Sequence, residues 1–407
     1  MILMVEEQET KPRIVVMGVG GAGTNAVDNM DASGMQGVEF VAVNTDLQSL
    51  ELCRTENKIH IGTKVTLGLG TGANPLLGEQ AAEEDRAALA ETLEGADLVF
   101  ITCGLGGGTG TGASPVIADV AREMGALTVA ICTKPFDFEG TVRRRHAERG
   151  QRDLRSKVDT LITVPNQRLL DLVDERTTLV EAFRIADSVL TQCVQSIADL
   201  ITRPGLINLD FSDIKAIMNQ QGGAVMGVGH GEGENRAPQA FQQASSSPLM
   251  EEVVIEGAKG ILINVTTGPG VTLHELSRAM EEQIHPKADP DANIIFGVVL
   301  DERFGERMQV TILATGFEGE MPDTEISDRA TVETRSYGGD DTGFERPAYL
   351  AKADSKRSYG EATDREDEEE EAEEETVAPE QPVGRGKRRG RLGERSEVLP
   401  AIFGTGL

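Results

Sequence analysis

The sequence predicts an α/β protein: a Rossmann-like domain with a parallel sheet, a long central helix, a smaller α/β domain and a disordered C-terminal tail. Over the first 170 residues, short apolar runs alternate with helical patterns, as in βαβ units whose strands are covered on both faces. Residues 177–202 contain neither Gly nor Pro and have apolar residues at helical spacing, which predicts one long helix. After about residue 317, apolar residues become rare and charges segregate, which is typical of disorder.

Eight apolar runs are predicted strands, five before the long helix and three after it. They cover 14–17, 40–43, 98–102, 127–132 and 160–164, then 260–265, 293–300 and 308–314, with a further helix near 273–284. Arg203, Pro204 and Gly205 end the long helix. We therefore expect a flexible N-terminus at 1–11, a first domain at 12–176, the central helix at 177–203, a second domain at 204–317 and the tail at 318–407.

The composition limits the classes of function. At 407 residues the chain is long enough for two cores and a tail. The net charge is −29, and residues 331–407 hold only 19 acidic and 12 basic side chains. The folded body is therefore itself acidic, so nonspecific nucleic-acid binding by it is not expected. Lys is scarce beside Arg, which fits a salt-rich cytoplasm and equally an ordinary acidic protein from a GC-rich genome.

Several common features are not expected in this chain. No stretch approaches the roughly 18 apolar residues of a membrane span, and the first residues lack the basic region and cleavage site of a secretory signal. We expect a cytoplasmic protein. The cysteines, Cys53, Cys103, Cys132 and Cys193, are far apart and are expected to be buried apolar residues. The five His residues show no ligand spacing, so no protein metal site is expected.

The most informative segment is the glycine loop at 104–112. Six of its nine residues are glycine, and it directly follows the predicted strand 98–102. Glycines cost roughly 0.5 to 1 kcal/mol each relative to alanine in a regular element, so the loop needs a use that side chains would block. Backbone N–H groups directed at phosphates are that use, with Thr109 and Thr111 as hydroxyl donors and a following helix whose positive end faces the anion.

Two further glycine turns follow strand ends, at 18–25 and 68–75. The first matches G-x-G-x-x-G, which alone also fits a dinucleotide enzyme. A dinucleotide site needs an acid for the ribose at the end of the second strand, yet that end reads Asn44, Thr45, Asp46. Three turns supply more amides than a pyrophosphate needs, which favours a triphosphate. The P-loop motif with its Lys is absent from the sequence, so backbone amides and Mg²⁺ must neutralise the charge.

Other polar residues follow later strand ends or lie on the long helix. Glu139 and Arg143, four apart, suit a ribose and a phosphate or base edge, or belong to an exposed helix start. Asn166 could read a base edge or make an Asx turn. Phe183 and Asp187, also four apart, provide stacking and base recognition, or are a core Phe and a surface Asp. The spacing alone does not decide between these alternatives.

A last constellation, Asn208, Asp210 and Asp213, follows the long helix and so lies away from the glycine turns. Asp213 could simply be a helix-start residue. If these carboxylates orient a water for phosphoryl transfer, they must act on a nucleotide bound to another subunit, and activity would require polymerisation.

The sequence resembles the FtsZ family, the prokaryotic tubulin homologues of cell division, from about residue 12 to 316. The resemblance rests on the segments 18–25, 44–46, 68–75, 104–112 (the tubulin signature), 136–143 and 203–213. It implies a GTP site made of Gly20, Gly21, Ala22, Asn25, Asn44, Gly72, Ala73, Asn74, Gly106, Gly107, Gly108, Thr109, Gly110, Glu139, Arg143, Asn166, Phe183 and Asp187. It also implies that Asp210, Asp213 and Asn208 complete the site of the neighbouring subunit.

The resemblance implies an assembly-dependent GTPase that forms head-to-tail filaments and the division ring at mid-cell. GTP or GDP would be bound with Mg²⁺, and K⁺ is a candidate further cation. The first domain would bind GTP and the second would activate its hydrolysis. The alternatives are a non-hydrolysing scaffold paralogue, which intact Asp210 and Asp213 argue against, and a dinucleotide oxidoreductase, which the missing ribose acid argues against. Whether the chain is the main ring former or an accessory paralogue stays open.

The tail departs from the family pattern. Family members generally end in a short D-x-P-x-F-L-R-like peptide that binds membrane tethers, and here two looser apolar islands, 344–350 and 398–403, lack the usual Arg. An acidic block at 366–375 and a basic stretch at 385–395 are added. We expect tether and division proteins to bind the tail through one of the islands. The basic stretch could contact anionic lipid or an acidic filament, or only balance charge.

Overall fold

The computed structural model describes residues 11–317, apart from 171, 172, 175, 204, 208, 220–222 and 251–256. The strands within this part form one ten-stranded sheet. They are β1 Ile14–Val19, β2 Glu39–Asn44, β3 Asn57–His60, β4 Leu98–Gly104, β5 Leu127–Lys134, β6 Thr160–Pro165, β7 Gly223–Glu232, β8 Gly260–Thr267, β9 Asn293–Leu300 and β10 Arg307–Thr315.

The helices between these strands cover both faces of the sheet. They are α1 Gly20–Ala32, α2 Leu47–Leu52, α3 Thr63–Thr66, α4 Pro75–Glu84, α5 Arg86–Leu93, α6 Thr109–Glu123, α7 Thr141–Arg155, α8 Asn166–Leu169, α9 Leu179–Thr202, α10 Phe211–Met218, α11 Arg236–Ser245 and α12 Leu273–Gln283. Short 3₁₀ turns, among them Asp137–Glu139 and Glu302–Phe304, complete the chain.

The strand order is β3-β2-β1-β4-β5-β6-β7-β10-β8-β9, and β1 to β7 are all parallel. β4 and β5 are buried along nearly their whole length, as expected of parallel strands covered on both faces. The predicted α/β fold with a parallel sheet is confirmed. Because these strands are parallel, their carboxyl ends lie at one edge of the sheet, where a ligand site is expected.

Two cores lie on opposite faces of the parallel part. One contains apolar side chains of α1, α9 and α10. The other contains those of α4, α5, α6 and α7. A third core joins α11 and α12 to β7, β8 and β10. α1 and α6 begin shortly after β1 and β4 end, so the N-termini of these two helices face the ligand edge.

The predicted long helix is α9, which begins two residues later than expected. Thr178 and Glu181 form a capping box at its start, which satisfies backbone N–H groups that the helix itself leaves unpaired. Its buried side chains pack with β1, β4 and β5 and also with strands of the other half, including Met226 and Leu313. The helix is thus held by both halves of the sheet.

The sequence analysis missed β3 and β7. β7 is rich in glycine, but it joins the two halves of the sheet, since it pairs with β6 on one side and β10 on the other. A Cβ at Gly229 would lie 2.0 Å from Ala240 O, and one at Gly231 would lie 1.9 Å from Arg236 O. Glycine therefore lets α11 lie directly against the strand. The domain limits drawn above stay a prediction, and residues 1–10 and 318–407 lie outside the described part.

The cysteines are all buried and free of disulfides, as predicted. Cys103 and Cys132 are partners in the β4–β5 register, with their sulfurs 3.3 Å apart. In the part of the chain that the structure describes, no group of three His, Cys, Asp or Glu side chains is placed to hold a metal ion. Within the same residues, no helix combines the length and the apolar character needed to cross a bilayer.

Candidate nucleotide site

The three glycine turns meet at the carboxyl edge of the parallel sheet. Gly20 begins α1 with φ +71°, and a Cβ there would lie 2.7 Å from Gly110 N. A Cβ on Gly108 would lie 2.0 Å from Thr71 Oγ1 and 2.9 Å from Asn74 N. The turns after β1, after α3 and after β4 are therefore in direct contact, and the 68–75 turn follows a helix, not the strand end expected from the sequence. These approaches are closer than any Cβ permits, which explains why glycine occupies positions 20 and 108.

Thr109 links these turns through its hydroxyl. Its Oγ1 lies 2.7 Å from Thr45 Oγ1 and 3.4 Å from Thr71 Oγ1, and all three hydroxyls are buried. The Thr111 hydroxyl accepts a hydrogen bond from Gly106 N at 2.9 Å. Both threonine hydroxyls predicted to be phosphate donors thus already bond to protein atoms and shape the loop.

The inner surface of this loop cluster is open. A Cβ at Gly21, Gly72 or Gly107 would have no heavy atom of another part of the protein within 4 Å. Ala73 adopts φ +63°, which is uncommon for a residue with a side chain, and is exposed. Ala22 and Asn25 on α1 are also exposed. An approaching group could reach the backbone here without meeting side chains.

Two helices direct their N-termini at this opening without capping side chains. Neither Val19 before α1 nor Gly108 before α6 makes a side-chain cap hydrogen bond, and no acidic residue lies in either first turn. The first-turn N–H groups of a helix have no partner within it, and two such N-termini together make a site for an anion.

Asn44 and Asn74 use their amide oxygens within the protein. Asn44 Oδ1 accepts from the N–H groups of Thr45 at 2.9 Å and Asp46 at 3.3 Å. Asn74 Oδ1 accepts from Leu76 N at 3.1 Å and so caps α4. Both residues lie in turns of the site and shape its backbone.

Glu139 and Arg143 form an ion pair with each other. Glu139 Oε2 binds Arg143 Nη1, and its Oε1 accepts from Phe136 N at 2.9 Å. A Cβ on Gly106 would lie 2.8 Å from Arg143 O, so the start of α7 packs against the glycine loop. The predicted pair therefore lies at the site, and the structure brings its two members together.

An aromatic cluster lies beside the ion pair. The Phe136 ring stacks on Phe138 at 5.2 Å and meets the edge of Phe183 at 5.5 Å. Phe138 and Phe183 are 62% and 40% exposed, so both present ring surface to solvent. The sequence analysis named Phe183 alone. The F-x-F alternation directly after β5 was the available signal for Phe136 and Phe138.

Two polar side chains near these rings lack a protein partner. Asp187 lies one turn after Phe183 on α9, and burial raises the pKa of its carboxyl to about 6. None of the residues that the structure describes forms a hydrogen bond or ion pair with this carboxylate. Asn166 is 5% exposed, and its buried Oδ1 has no hydrogen-bond partner. Unpartnered buried polar groups cost free energy, so a ligand that hydrogen-bonds to these two side chains would offset that cost.

Asp210 and Asp213 lie elsewhere. They follow the far end of α9, where Thr202 lies about 22 Å along the helix axis from Asp187. Asp210 precedes α10, and its carbonyl accepts from Asp213 N at 3.0 Å. Both residues are exposed, and within the described part of the chain neither carboxylate has a partner. Asn208 lies outside the described residues.

Two family models match this chain. A family model described as "Tubulin/FtsZ family, GTPase domain" matches residues 13–174, and one described as "FtsZ family, C-terminal domain" matches 222–318. The cell division protein FtsZ of Caulobacter vibrioides is 52% identical over 311 residues, which cover 76% of this chain and 61% of that protein. The chain thus spans about three fifths of the length of its curated relatives.

Solved structures show the same similarity. An empty FtsZ dimer from M. jannaschii has a TM-score of 0.73 and 43% sequence identity, covering 76% of this chain and 89% of that one. CetZ1 from Haloferax volcanii, at 21% identity and a TM-score of 0.66, shares the fold. The chain belongs to the FtsZ family of tubulin-like proteins.

Proposed function

We propose that this protein binds and hydrolyses GTP and polymerises head-to-tail into the filaments of a cell-division ring. One observation carries the proposal. The exposed Phe183 ring and the Asp187 carboxylate lie near the start of α9, whereas the exposed, unpartnered carboxylates of Asp210 and Asp213 follow its other end, so a second subunit would bring a bound nucleotide and these two carboxylates together.

Guanine is the base that suits the pocket. A carboxylate accepts two parallel hydrogen bonds, and guanine offers N1–H and the 2-amino group side by side, whereas adenine does not. Asp187 would accept both, which would offset the cost of its burial. Phe183 would stack on the base. The unpaired Oδ1 of Asn166 would accept from the nucleotide.

The phosphates would lie on the amides of Gly20, Gly21 and residues 106–110, at the N-termini of α1 and α6. Gly72, Ala73 and Asn74 would close the far side. The sequence lacks the P-loop motif with its Lys, so Mg²⁺ bound by the phosphates would supply cationic charge. K⁺ is a candidate for further charge compensation. Glu139 would hold the ribose and Arg143 the nucleotide.

Asp210 and Asp213, with Asn208, would act on the nucleotide of the adjacent subunit. Their carboxylates would orient a water molecule towards the γ-phosphorus and accept hydrogen bonds from it. The oxygen–phosphorus bond to the β-phosphate would break, releasing phosphate and leaving GDP. Loss of the γ-phosphate would remove contacts across the joint and weaken it.

The surface beside these carboxylates supports a protein contact. Leu206 and Ile207 are 66% and 42% exposed, and Leu273 and Leu300 of the same half are 84% and 40% exposed. Large exposed apolar side chains in one region are typical of protein interfaces. A joint between unlike surfaces that does not close on itself produces a filament. The FtsZ of M. jannaschii, which was solved as a dimer, supports self-association.

The location and partners follow from the family. We place the filament in the cytoplasm at mid-cell, with membrane-tether and division proteins bound through the tail at 344–350 or 398–403. The first domain, 12–176, would bind GTP, and the second, 204–317, would activate hydrolysis. The whole chain would form the ring or act as an accessory paralogue.

The alternatives differ in testable ways. A scaffold that does not hydrolyse GTP would assemble without releasing phosphate. A dinucleotide oxidoreductase would retain NAD, but the second strand ends at Asn44, whose side chain is used by the turn, so a ribose carboxylate is lacking there. Unpartnered Asp210 and Asp213 favour hydrolysis over the scaffold.

The test is light scattering together with phosphate release after GTP addition, in low and high KCl. The rate of phosphate release should rise more than linearly with protein concentration because each site needs two subunits. Asp213→Ala should abolish release while GTP binding persists, and Ser212→Ala, an exposed neighbour on α10, should behave as wild type. A rate strictly proportional to concentration would defeat the shared-site mechanism.

A further inference from the structure

A buried ionic network holds the start of the segment that carries Asp210 and Asp213. Arg203 follows the last turn of α9 with φ −99° and ψ 130°, so the chain leaves the helix in an extended direction. Its Nε lies 2.9 Å from Asp199 Oδ1 and its Nη1 lies 3.6 Å from Asp301 Oδ2. The side chains of Asp199 and Asp301 are only 6% and 10% exposed.

The two carboxylates of the network belong to different halves of the molecule. Asp199 lies on α9, and burial raises its pKa. Asp301 directly follows β9, and hydrogen bonds from Arg303 lower its pKa to about 2. Arg203 contacts both carboxylates and so ties the end of α9 to the end of β9, while Arg303 supplies a second positive charge to Asp301.

β9 also fixes the next part of the segment. Leu206 N donates to Val298 O at 2.9 Å, and Val298 N donates to Ile207 O at 3.3 Å. The far end of the segment is fixed by α10, whose Ile214 is fully buried in the core. The described residues between Arg203 and α10, which are 205–207 and 209–210, thus lie between anchored points, and Asp210 is the last of them.

We propose that Arg203 is a positioning residue for GTP hydrolysis: by bridging Asp199 and Asp301 it sets where the 205–213 segment presents its carboxylates to the neighbouring subunit. The proposal rests on the shared-site function proposed above. The Arg203 guanidinium is engaged by Asp199 and Asp301, so Arg203 would act through the backbone that it anchors. A displacement of about 1 Å in a catalytic group lowers rates by about a hundredfold, so a small shift of this anchor is sufficient.

The first test compares full-length Arg203→Gln with wild type. GTP binding below the assembly concentration should stay within about twofold, since α9 places Arg203 roughly 24 Å from Asp187. Phosphate release per assembled subunit, measured on pelleted filaments, should fall by about tenfold or more. Asp301→Asn should produce the same change from the other side of the bridge. Arg278→Gln, which breaks an exposed ion pair on α12, is the matched control and should leave both values unchanged.

The second test separates positioning from general damage. Arg203→Gln keeps its nucleotide pocket but has a displaced segment, and Asp187→Ala keeps its segment but loses the base contact. In mixed filaments, GTP bound by an Arg203→Gln subunit can face the intact 205–213 segment of an Asp187→Ala subunit. Phosphate release by the mixture should therefore exceed the sum of the rates of the two variants measured separately. A variant that is merely misfolded would give no such gain.

The outcomes decide the proposal. Wild-type turnover in Arg203→Gln filaments would overturn it, as would loss of GTP binding by the Arg203→Gln monomer or an absence of rescue in the mixture. Asp213→Ala, run in parallel, reports on the shared site itself. If that variant still turns over GTP, the proposed function fails; if it is inactive while Arg203→Gln is active, only the positioning role fails.

Discussion

Replacing Asp187 by Asn should stabilise the folded protein while weakening GTP binding. The Asp187 carboxyl has a pKa raised to about 6 by burial, against an ordinary value of 3.8, and the described residues offer it no hydrogen-bond donor. The charged form of Asp187 therefore lowers the free energy of unfolding. An uncharged Asn of the same shape removes that cost.

The magnitude follows from the pKa. A tenfold change in a protonation constant corresponds to about 1.4 kcal/mol, so the shift from 3.8 to about 6 is worth at most about 3 kcal/mol. Solvent access to the half-buried side chain reduces this, and we expect a gain of about 1 to 3 kcal/mol in the free energy of unfolding near neutral pH.

The pH dependence has a defined sign. The pKa of Asp187 is raised in the folded state, so the destabilisation caused by its charge is fully present above pH 6 and disappears as the pH falls towards 4. The advantage of Asp187→Asn over wild type should accordingly shrink to about half at pH 5. GTP binding by wild type should weaken below pH 6 because the protonated carboxyl no longer accepts two hydrogen bonds.

Nucleotide selectivity tests the same carboxylate independently. Asn presents one acceptor and one N–H donor, so it matches the N1–H and 2-carbonyl of xanthine and leaves the 2-amino group of guanine opposed by a donor. The variant would lose charge-assisted hydrogen bonds to guanine and leave one N–H donor of the base without an acceptor. We expect this to cost about 2 to 4 kcal/mol of binding free energy, or about 30-fold to 1,000-fold in GTP affinity. XTP should bind the variant better than wild type.

The assay is urea unfolding without nucleotide at about pH 7.5 and about pH 5, paired with calorimetric titration of GTP and XTP. Asp31→Asn, an exposed residue on α1, is the control and should change neither measurement. A destabilised Asp187→Asn would refute the argument from burial without a partner. Wild-type GTP affinity in this variant would refute guanine recognition by Asp187.

Two further predictions concern the glycine loop and the thiols. Gly108→Ala should destabilise the fold by about 1 to 3 kcal/mol and abolish GTP binding, since its Cβ would lie 2.0 Å from Thr71 Oγ1. Gly107→Ala should unfold as wild type but bind GTP more weakly, because its Cβ meets no protein atom and would enter the phosphate position; equal effects of the two in both assays would contradict this. Cys103 and Cys132, like the other two thiols, should be unreactive towards a disulfide reagent in the native protein and fully reactive in denaturant, and a fast native reaction would contradict their burial.

The sequence predicted those parts of the site that local patterns determine. A strand that ends in glycines and continues as a helix places amides at a helix N-terminus whatever the rest of the chain does, and α1 and α6 begin at Gly20 and Thr109 as this pattern requires. Similarly, the absence of Gly and Pro from 177–202 sufficed for α9, because helical periodicity over seven turns has no competing interpretation.

The parts that were missed depend on tertiary contacts. No local pattern distinguishes β7 from a loop, because its glycines lower strand propensity. The reason for these glycines is a tertiary contact: a Cβ at Gly229 or Gly231 would lie about 2 Å from backbone oxygens of α11. The sequence also did not predict that Glu139 pairs with Arg143, or that the hydroxyls of Thr109 and Thr111 bond to protein atoms. Spacing determines which residues share a helix face, but it does not determine which partner each side chain selects.

If the site is shared between two subunits as proposed, the long helix also affects the stability of the free subunit. The proposed nucleotide pocket uses unpaired N–H donors and the Asp187 carboxylate, and the proposed hydrolysis uses two further carboxylates. If all of these lay in one pocket of a free subunit, Asp187, Asp210 and Asp213 would repel one another and the bound phosphates. Asp210 and Asp213 follow the end of α9, where Thr202 lies about 22 Å along the helix axis from Asp187, so the proposed arrangement avoids that repulsion in the free subunit. Mg²⁺ and the nucleotide would then compensate for it only where two subunits meet, which would confine the proposed hydrolysis to the assembled filament.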